Sequence, residues 1–336
     1  MSVTIKDVAR EAGVNVSTVS RALNGENGVH EATRELVRAA ARRLGYRPNR
    51  VARGLVTGRS HTLALVVGDI RNLFFAEVAR GAEDAAYQAG CDLVLCNSDL
   101  DASKQLRYAQ LLAEKRVDGI LMNTVSVLSR KEQEQLLGLG VPIVLLNRSA
   151  PRGAFSTISA DNEAGGGLAA AHLLKLGHQA IAHLTGPRHY GSMSDRARGF
   201  VSRLAAARKP IRPVVLHGQN NFDGGADLAR KLLAQNPEVT GVFAGNDMMA
   251  FGAMRAFMEA GRRIPQDISV VGFDDVELAT IVNPPLTTIH QPKYEIGQAA
   301  VEVLLRLAGD AGDSPPEHRL FGVKLVERQS CMEAKG

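Results

Sequence analysis

Two sets of side chains in this 336-residue sequence have the types and spacing to do binding chemistry. The first lies near the start. Val16, Ser17, Thr18, Ser20, Arg21 and Asn24 fall on the outward side of a short helical repeat whose Val19, Ala22 and Leu23 turn inward. That leaves a small polar face carrying one guanidinium. A guanidinium can donate twice to guanine O6 and N7, a valine suits a thymine methyl, and a face this small fits a major groove. The second set is spread along the chain: Asn72, Phe74, Phe75, Asn147, Arg148, Arg196, Phe222, Asn246, Asp247, Asp274 and Gln291, each just after an apolar run. Flat rings pack on the C–H faces of a sugar, while arginine, carboxylate and amide groups match hydroxyls that both donate and accept. An unpaired buried polar group costs about 1–3 kcal/mol, so such a site rejects ligands lacking the right hydroxyl. The same rings could stack on a purine.

Elements that position the first set are legible from spacing. Ile5, Val8, Ala9 and Ala12 recur at i, i+3, i+4 and i+7, an apolar helical stripe that Thr4 and Asp7 can cap. Gly13 breaks it where a positive φ is cheap, and Asn15 can cap a second helix from Val16. A third helix over residues 31–44 turns Leu36, Val37, Ala40, Ala41 and Leu44 to a shared core, ending at Gly45.

For the second set, apolar runs (LALVV, DLVLC, DGILM, PIVLL, then AIAHL, PVVLH, GVFAG, ISVVGF) alternate with amphipathic segments. Continuous apolar strands separated by helices predict parallel sheets covered on both faces, and two such series predict two lobes. Ligands of such sheets bind beyond the carboxyl ends of the strands, where the second set sits. Lobe one is expected over about 61–160 and 290–319, lobe two over about 161–289 and 320–331, with residues 284–296 leading back to the first and 320–326 to the second.

Charge is uneven. Residues 1–60 hold eleven Lys and Arg against five Asp and Glu, a net +6, whereas the whole chain carries +5. The basic footprint of a polyanion binder is thus confined to the N-terminal part. There is no run of eighteen apolar residues and no signal-like start, which points to a cytoplasmic protein and away from a membrane or exported one. Three cysteines, Cys91, Cys96 and Cys331, read as reduced thiols, and the nine histidines lack metal-ligand spacing, so neither metal nor cofactor is expected. No Walker loop, nucleophile elbow or paired metal motif supports a sugar-processing enzyme.

The run TIKDVAREAGVNVSTVSRALN resembles the DNA-binding headpiece of the LacI/GalR family of bacterial transcription regulators, and the likeness extends over nearly the whole chain. The resemblance implies base reading by Val16, Ser17 and Arg21 and phosphate contacts by Thr18, Ser20 and Asn24. It implies a hinge helix at residues 49–57 that orders on operator DNA, with Ala52 near its twin and Leu55 wedged into the minor groove. His30 and Gly54 depart from residues usual in relatives. It further implies a helix-turn-helix headpiece (1–46), a hinge and linker (47–60), and a two-lobed α/β domain like the periplasmic sugar-binding proteins (61–336). The motifs NLFFAEV, LLNR, DRARGF, FAGNDMMA, GFDD and IHQP are similar to sugar contacts of ribose-binding proteins, except that Asn147 stands where those have aspartate. The function so implied is a homodimeric repressor on double-stranded, pseudo-palindromic operator DNA, released by a small sugar such as ribose or another pentose. A purine acting as corepressor is the alternative. Without a leucine heptad after Arg328, a dimer is expected and no coiled-coil tetramer.

Overall fold

A computed structural model of the chain describes residues 3–24, 28–46, 59–123, 126–147, 154–309 and 315–335. Ala52, Leu55 and the rest of the expected hinge helix lie outside the described residues, as does Arg148. The chain divides into two units, Met1–Ser60 and His61–Gly336.

In the first unit, α1 (Ile5–Ala12), α2 (Val16–Asn24) and α3 (Glu31–Leu44) close on a core of Val8, Ala9, Ala12, Val19, Ala22, Val37, Ala40 and Ala41. The Thr4 N–H and hydroxyl both donate to the Asp7 carboxylate, at 3.0 and 2.7 Å. Gly13 adopts φ 67°, the left-handed stop its position required. The Asn15 carbonyl accepts from Thr18 and Val19 and so opens α2. His30 caps α3 with no side-chain bond. One expectation fails here: Leu36 is 57% exposed and leaves the core to Val37, because the three short helices meet along a stripe too narrow for both.

The second unit contains two six-stranded sheets. The first has β1 (Thr62–Val67), β2 (Asp92–Asn97), β3 (Gly119–Asn123), β4 (Ile143–Leu146), β5 (Ser156–Ala160) and β11 (His318–Phe321), in the order β11-β5-β4-β3-β1-β2 and parallel throughout. The second has β6 (Ile181–Thr185), β7 (Val214–His217), β8 (Gly241–Ala244), β9 (Ser269–Asp274), β10 (Thr287–His290) and β12 (Lys324–Val326), in the order β12-β10-β9-β8-β6-β7, with β12 alone antiparallel. Apolar side chains cover both faces of each sheet, which is why the strands read as continuous apolar runs.

The chain passes between sheets three times, near Asp161, near Gln291 and at residues 322–323. Two boundaries differ from expectation. His290, expected to begin the return to lobe one, is the last residue of β10 in the second sheet, and Leu320, expected in lobe two, lies in β11 of the first. The short, sparsely apolar runs there carry too little pattern to assign a sheet.

Helices α4 (Phe74–Gln88), α5 (Ala102–Glu114), α6 (Arg130–Leu137), α7 (Asn162–Lys175), α8 (Gly191–Ala205), α9 (Phe222–Gln235), α10 (Asp247–Glu259), α11 (Leu278–Ile281) and α12 (Lys293–Gly309) complete the unit. The α7–α8 pair closes so tightly that a Cβ on Gly166 would lie 2.0 Å from the Arg196 carbonyl oxygen, and one on Gly199 would lie 1.9 Å from that of Glu163. Glycine there lets α8 carry Arg196 to the strand ends.

Candidate functional site

A cavity opens beyond the carboxyl ends of both sheets. Asp69, Asn72, Phe74, Phe75, Leu100, Asn123, Ser126, Val127 and Asn147 line it from lobe one, and Tyr190, Gly191, Ser192, Met193, Arg196, Asn220, Asn246 and Asp274 from lobe two. Of the residues expected from sequence, Asn72, Phe74, Phe75, Asn147, Arg196, Asn246 and Asp274 are brought together there.

Arg196 organises the lobe-two wall although it is 1% exposed. Its Nε donates to Asn162 Oδ1 at 2.8 Å and its Nη1 to the Gly245 carbonyl at 2.6 Å; Nη2 lies 3.5 Å from Asp274 Oδ1. Its guanidinium stacks on Phe273, 3.6 Å from the ring centre. Gln291 Nε2 donates to Asp274 Oδ1 at 2.6 Å. Burial pushes the Asp274 carboxyl upward against the opposing pull of Arg196, Lys293 and Gln291. Burial likewise works against the charge on Arg196, countered by Asp274, Asp247 and Asp195. Asp274 sits at φ 118° and Asp275 at φ 55°, conformations costing non-glycine residues about 1–3 kcal/mol each, and such strain is held only where neighbours over-determine it. Asn246 accepts from the Met249 N–H and donates to Asn220 Oδ1, both α10 cap and wall.

The lobe-one wall has fewer internal bonds. Asn72 Oδ1 accepts from the Phe74 N–H at 3.0 Å and so aims α4 into the cavity. Phe74 and Phe75 meet edge to face, 5.1 Å between centres at 80°. Asp69 is gripped by Arg71, which holds its carboxyl below the usual range. Asn147, at φ 55°, keeps a buried Oδ1 with no hydrogen-bond partner, a group shaped to accept from a ligand hydroxyl.

Three expected residues are placed elsewhere. Gln291 is fully buried behind Asp274 and orients it from outside the cavity wall. Phe222 begins α9 and packs against the lobe-two core, its position on the wall taken by Asn220. Asp247 is buried, accepting from the Thr288 hydroxyl and the Val276 N–H, and burial beside Asp274 raises its pKa. Sequence reasoning missed Asp69, Asn123, Tyr190, Ser192 and Asn220. Asn123 ends β3 and the others follow a strand end within seven residues, so applying the strand-end rule to every strand and to the loop and helix start beyond it would have found them.

In the first unit, Val16, Ser17 and Arg21 are exposed on α2, Thr18 and Ser20 half-buried, and Val19 and Ala22 buried. The Arg21 Nε lies 3.4 Å from the Ser17 carbonyl, leaving the guanidinium tip on the outer face.

With these geometries in view, the likeness to known proteins is specific. Residues 4–49 match the bacterial regulatory proteins of the lacI family, and residues 170–331 match the periplasmic binding protein-like domain. The ribose operon repressor of Halalkalibacterium halodurans is 39% identical over 303 residues, 90% of this chain and 89% of that protein. The HTH-type transcriptional repressor PurR of Vibrio cholerae is 39% identical over 334 residues, 98% of each. Among solved structures, the lac repressor dimer bound to operator and the anti-inducer ONPF aligns with TM-score 0.88 at 32% identity, covering 99% of this chain and 100% of that one. A LacI family regulator from Enterococcus faecium with bound ribose aligns with TM-score 0.73 at 33% identity over 82% of this chain and 100% of that one.

Proposed function

The chain belongs to the lacI family of bacterial regulatory proteins, and on that premise we propose that it is a dimeric repressor released from operator DNA by a small sugar, ribose or a related pentose. It is a transcriptional regulator and not an enzyme. The observation that carries the sugar reading is a cleft wall of amides, carboxylates and one buried guanidinium around Asp274, faced by the unpartnered Asn147 oxygen. Hydroxyls, which donate and accept, complement such a wall. Phe74 and Phe75 stand edge to face and Phe222 is off the wall, so these rings do not offer a base a parallel pair to sandwich it. The PurR relatives favour the second reading, a purine corepressor. We infer effector contacts from Asn72, Phe74, Phe75, Asn147, Arg148, Arg196, Asn246 and Asp274, and a cytoplasmic location. Among the described residues no helix is long and apolar enough to cross a membrane.

Calorimetric titration with D-ribose, other pentoses, hexoses and purine bases, each hit then added to an operator-binding assay, tests this. Saturable pentose binding that releases DNA is expected; binding of a purine alone that tightens DNA would replace the reading with corepression. On DNA, we propose that Val16, Ser17 and Arg21 read bases while Thr18, Ser20 and Asn24 contact phosphates, with Ala52 and Leu55 at the operator centre. Arg21→Ala should lose about 1–3 kcal/mol of discrimination at one base pair. Equal weakening on every sequence would reassign Arg21 to a phosphate.

A further inference from the structure

Lys293 is 7% exposed, its ammonium lies 3.5 Å from the Gln291 carbonyl oxygen, and among the described residues it makes no ion pair with a carboxylate. Its Nζ donates to the carbonyls of Asp274 at 2.7 Å and Asp275 at 2.8 Å, the two residues forced to positive φ at the end of β9. An ammonium between two carbonyl oxygens favours the backbone orientation that brings them together, which is the strained one. The Asp275 side chain is fixed separately, by His290 Nδ1 at 2.9 Å and Arg328 Nη2 at 2.6 Å. Lys293 therefore acts on the backbone carbonyls of the turn that carries the Asp274 carboxylate into the cleft, beside the Val276 N–H bond to Asp247.

The next residue faces the other lobe. Tyr294 donates its hydroxyl to Asp84 Oδ2 at 2.8 Å, and its carbonyl oxygen lies where a Cβ on Gly81 would come within 2.0 Å. A Cβ on Gly297, one turn further, would lie 2.1 Å from the Val78 carbonyl. These contacts bind α12 to α4, whose first residues, Phe74 and Phe75, line the cleft from lobe one. One dipeptide at the second crossing thus holds the Asp274 turn of lobe two with one side chain and α4 of lobe one with the next.

We propose that Lys293 is a positioning residue for the effector response: it sets the Asp274 turn and, through Tyr294, ties that turn to α4. This rests on the reading of Asp274 as an effector contact. The test uses the full chain, D-ribose as probe, and Lys293→Met and Lys293→Arg variants. By hydrogen exchange on ligand-free protein, Lys293→Met should speed exchange at amides 274–276 at least tenfold while strands β6 and β8 stay as in the wild type. Its operator affinity without sugar should stay within twofold and its ribose affinity fall at least tenfold. Lys293→Arg, which keeps donors and charge, should stay within threefold on every readout. Unchanged exchange at 274–276 in Lys293→Met overturns the proposal, as does an arginine variant that loses as much as the methionine one. Should wild-type protein not bind ribose, the sugar reading fails, and the exchange comparison still decides the role of Lys293.

Discussion

On the lobe-two wall of the cleft, Arg196 donates to two protein acceptors, pairs with Asp274 and stacks on Phe273, all at 1% exposure. On the lobe-one wall, Asn147 holds a buried oxygen that accepts from nothing, and Arg71 reaches Asp69 with its own side chain 77% exposed. The first wall's guanidinium has its protein acceptors in place before any ligand arrives, although Gln291 Oε1 behind it has no partner; the second leaves groups open or held by solvent-exposed partners. The difference separates two uses of polarity. A satisfied buried network is rigid and is part of the fold, so its removal is felt as lost stability. An open acceptor contributes nothing to the free protein, so its removal is felt only as lost affinity.

Arg196→Met gives the largest expected effect. It keeps stem volume but leaves Asp274 buried beside Asp247 without its guanidinium, and breaking a buried pair in this way costs about 3–5 kcal/mol. Urea unfolding should register that loss in the second unit. A midpoint within error of the wild type would mean the lobe-two wall is no more structural than its opposite.

Next comes His183, stacked on Phe243 at 4.5 Å and 9° beneath the same wall. Burial pulls its pKa down to about 4, so the folded protein keeps the ring neutral where the unfolded chain, titrating near 6.5, takes up a proton. As pH falls from about 6.5 to about 4 the unfolded state binds more protons, and stability attributable to this ring declines by on the order of 3 kcal/mol, then levels. Asp247 and Asp274, with pKa values raised by burial, run in the opposite direction, so the wild-type curve alone mixes the two. The informative quantity is the stability difference between wild type and His183→Phe, measured from pH 7 to pH 4. It should move against the wild type as pH falls; a constant difference would mean the ring is protonated or solvated in the fold.

How far the sequence exposed this site follows the same division. Asn72, Phe74, Phe75, Asn147, Arg196, Asn246 and Asp274 were found because a parallel strand announces itself as an apolar run and its carboxyl end is where the sheet meets ligand. The headpiece helices were legible because each repeats apolar residues at helical spacing, Val8, Ala9 and Ala12 in α1, Val19 and Ala22 in α2, and Val37, Ala40 and Ala41 in α3. Gln291 and Asp247 were legible as polar residues at strand ends, yet which polar group faces the cleft and which stands behind it depends on side-chain direction and on partners far along the chain, Asp274 and Thr288. Phe222 shows the converse, since an aromatic at a helix start can turn to the cleft or to the core and the pattern is the same. Leu320 was assigned to the wrong lobe because β11 has a single exposed edge and only a weak alternation to mark it.

Asn147→Leu probes the open wall. Removing an acceptor that has no partner should leave the unfolding midpoint unchanged or slightly higher, while sugar affinity falls about 5–30-fold, the range of one neutral hydrogen bond in a dry site. If stability falls as well, Asn147 is satisfied in solution by a group of the protein, and the contrast between the walls narrows.

The smallest effect is expected of Arg71→Ala. Three contacts of 2.9 to 3.2 Å draw its guanidinium onto Asp69, but the arginine stands in solvent, where salt and water compete for both partners. No shift of the unfolding midpoint should be measurable. Asp69 lines the cavity, so freeing its two oxygens changes what a ligand hydroxyl meets there, and sugar affinity should change by no more than about threefold, the size of a weak neutral contact. A tenfold gain on removing Arg71 would reveal a side chain that competes with the effector for Asp69. The lobe-one wall would then be closed to ligand by its own arginine, and its apparent openness would apply to Asn147 alone.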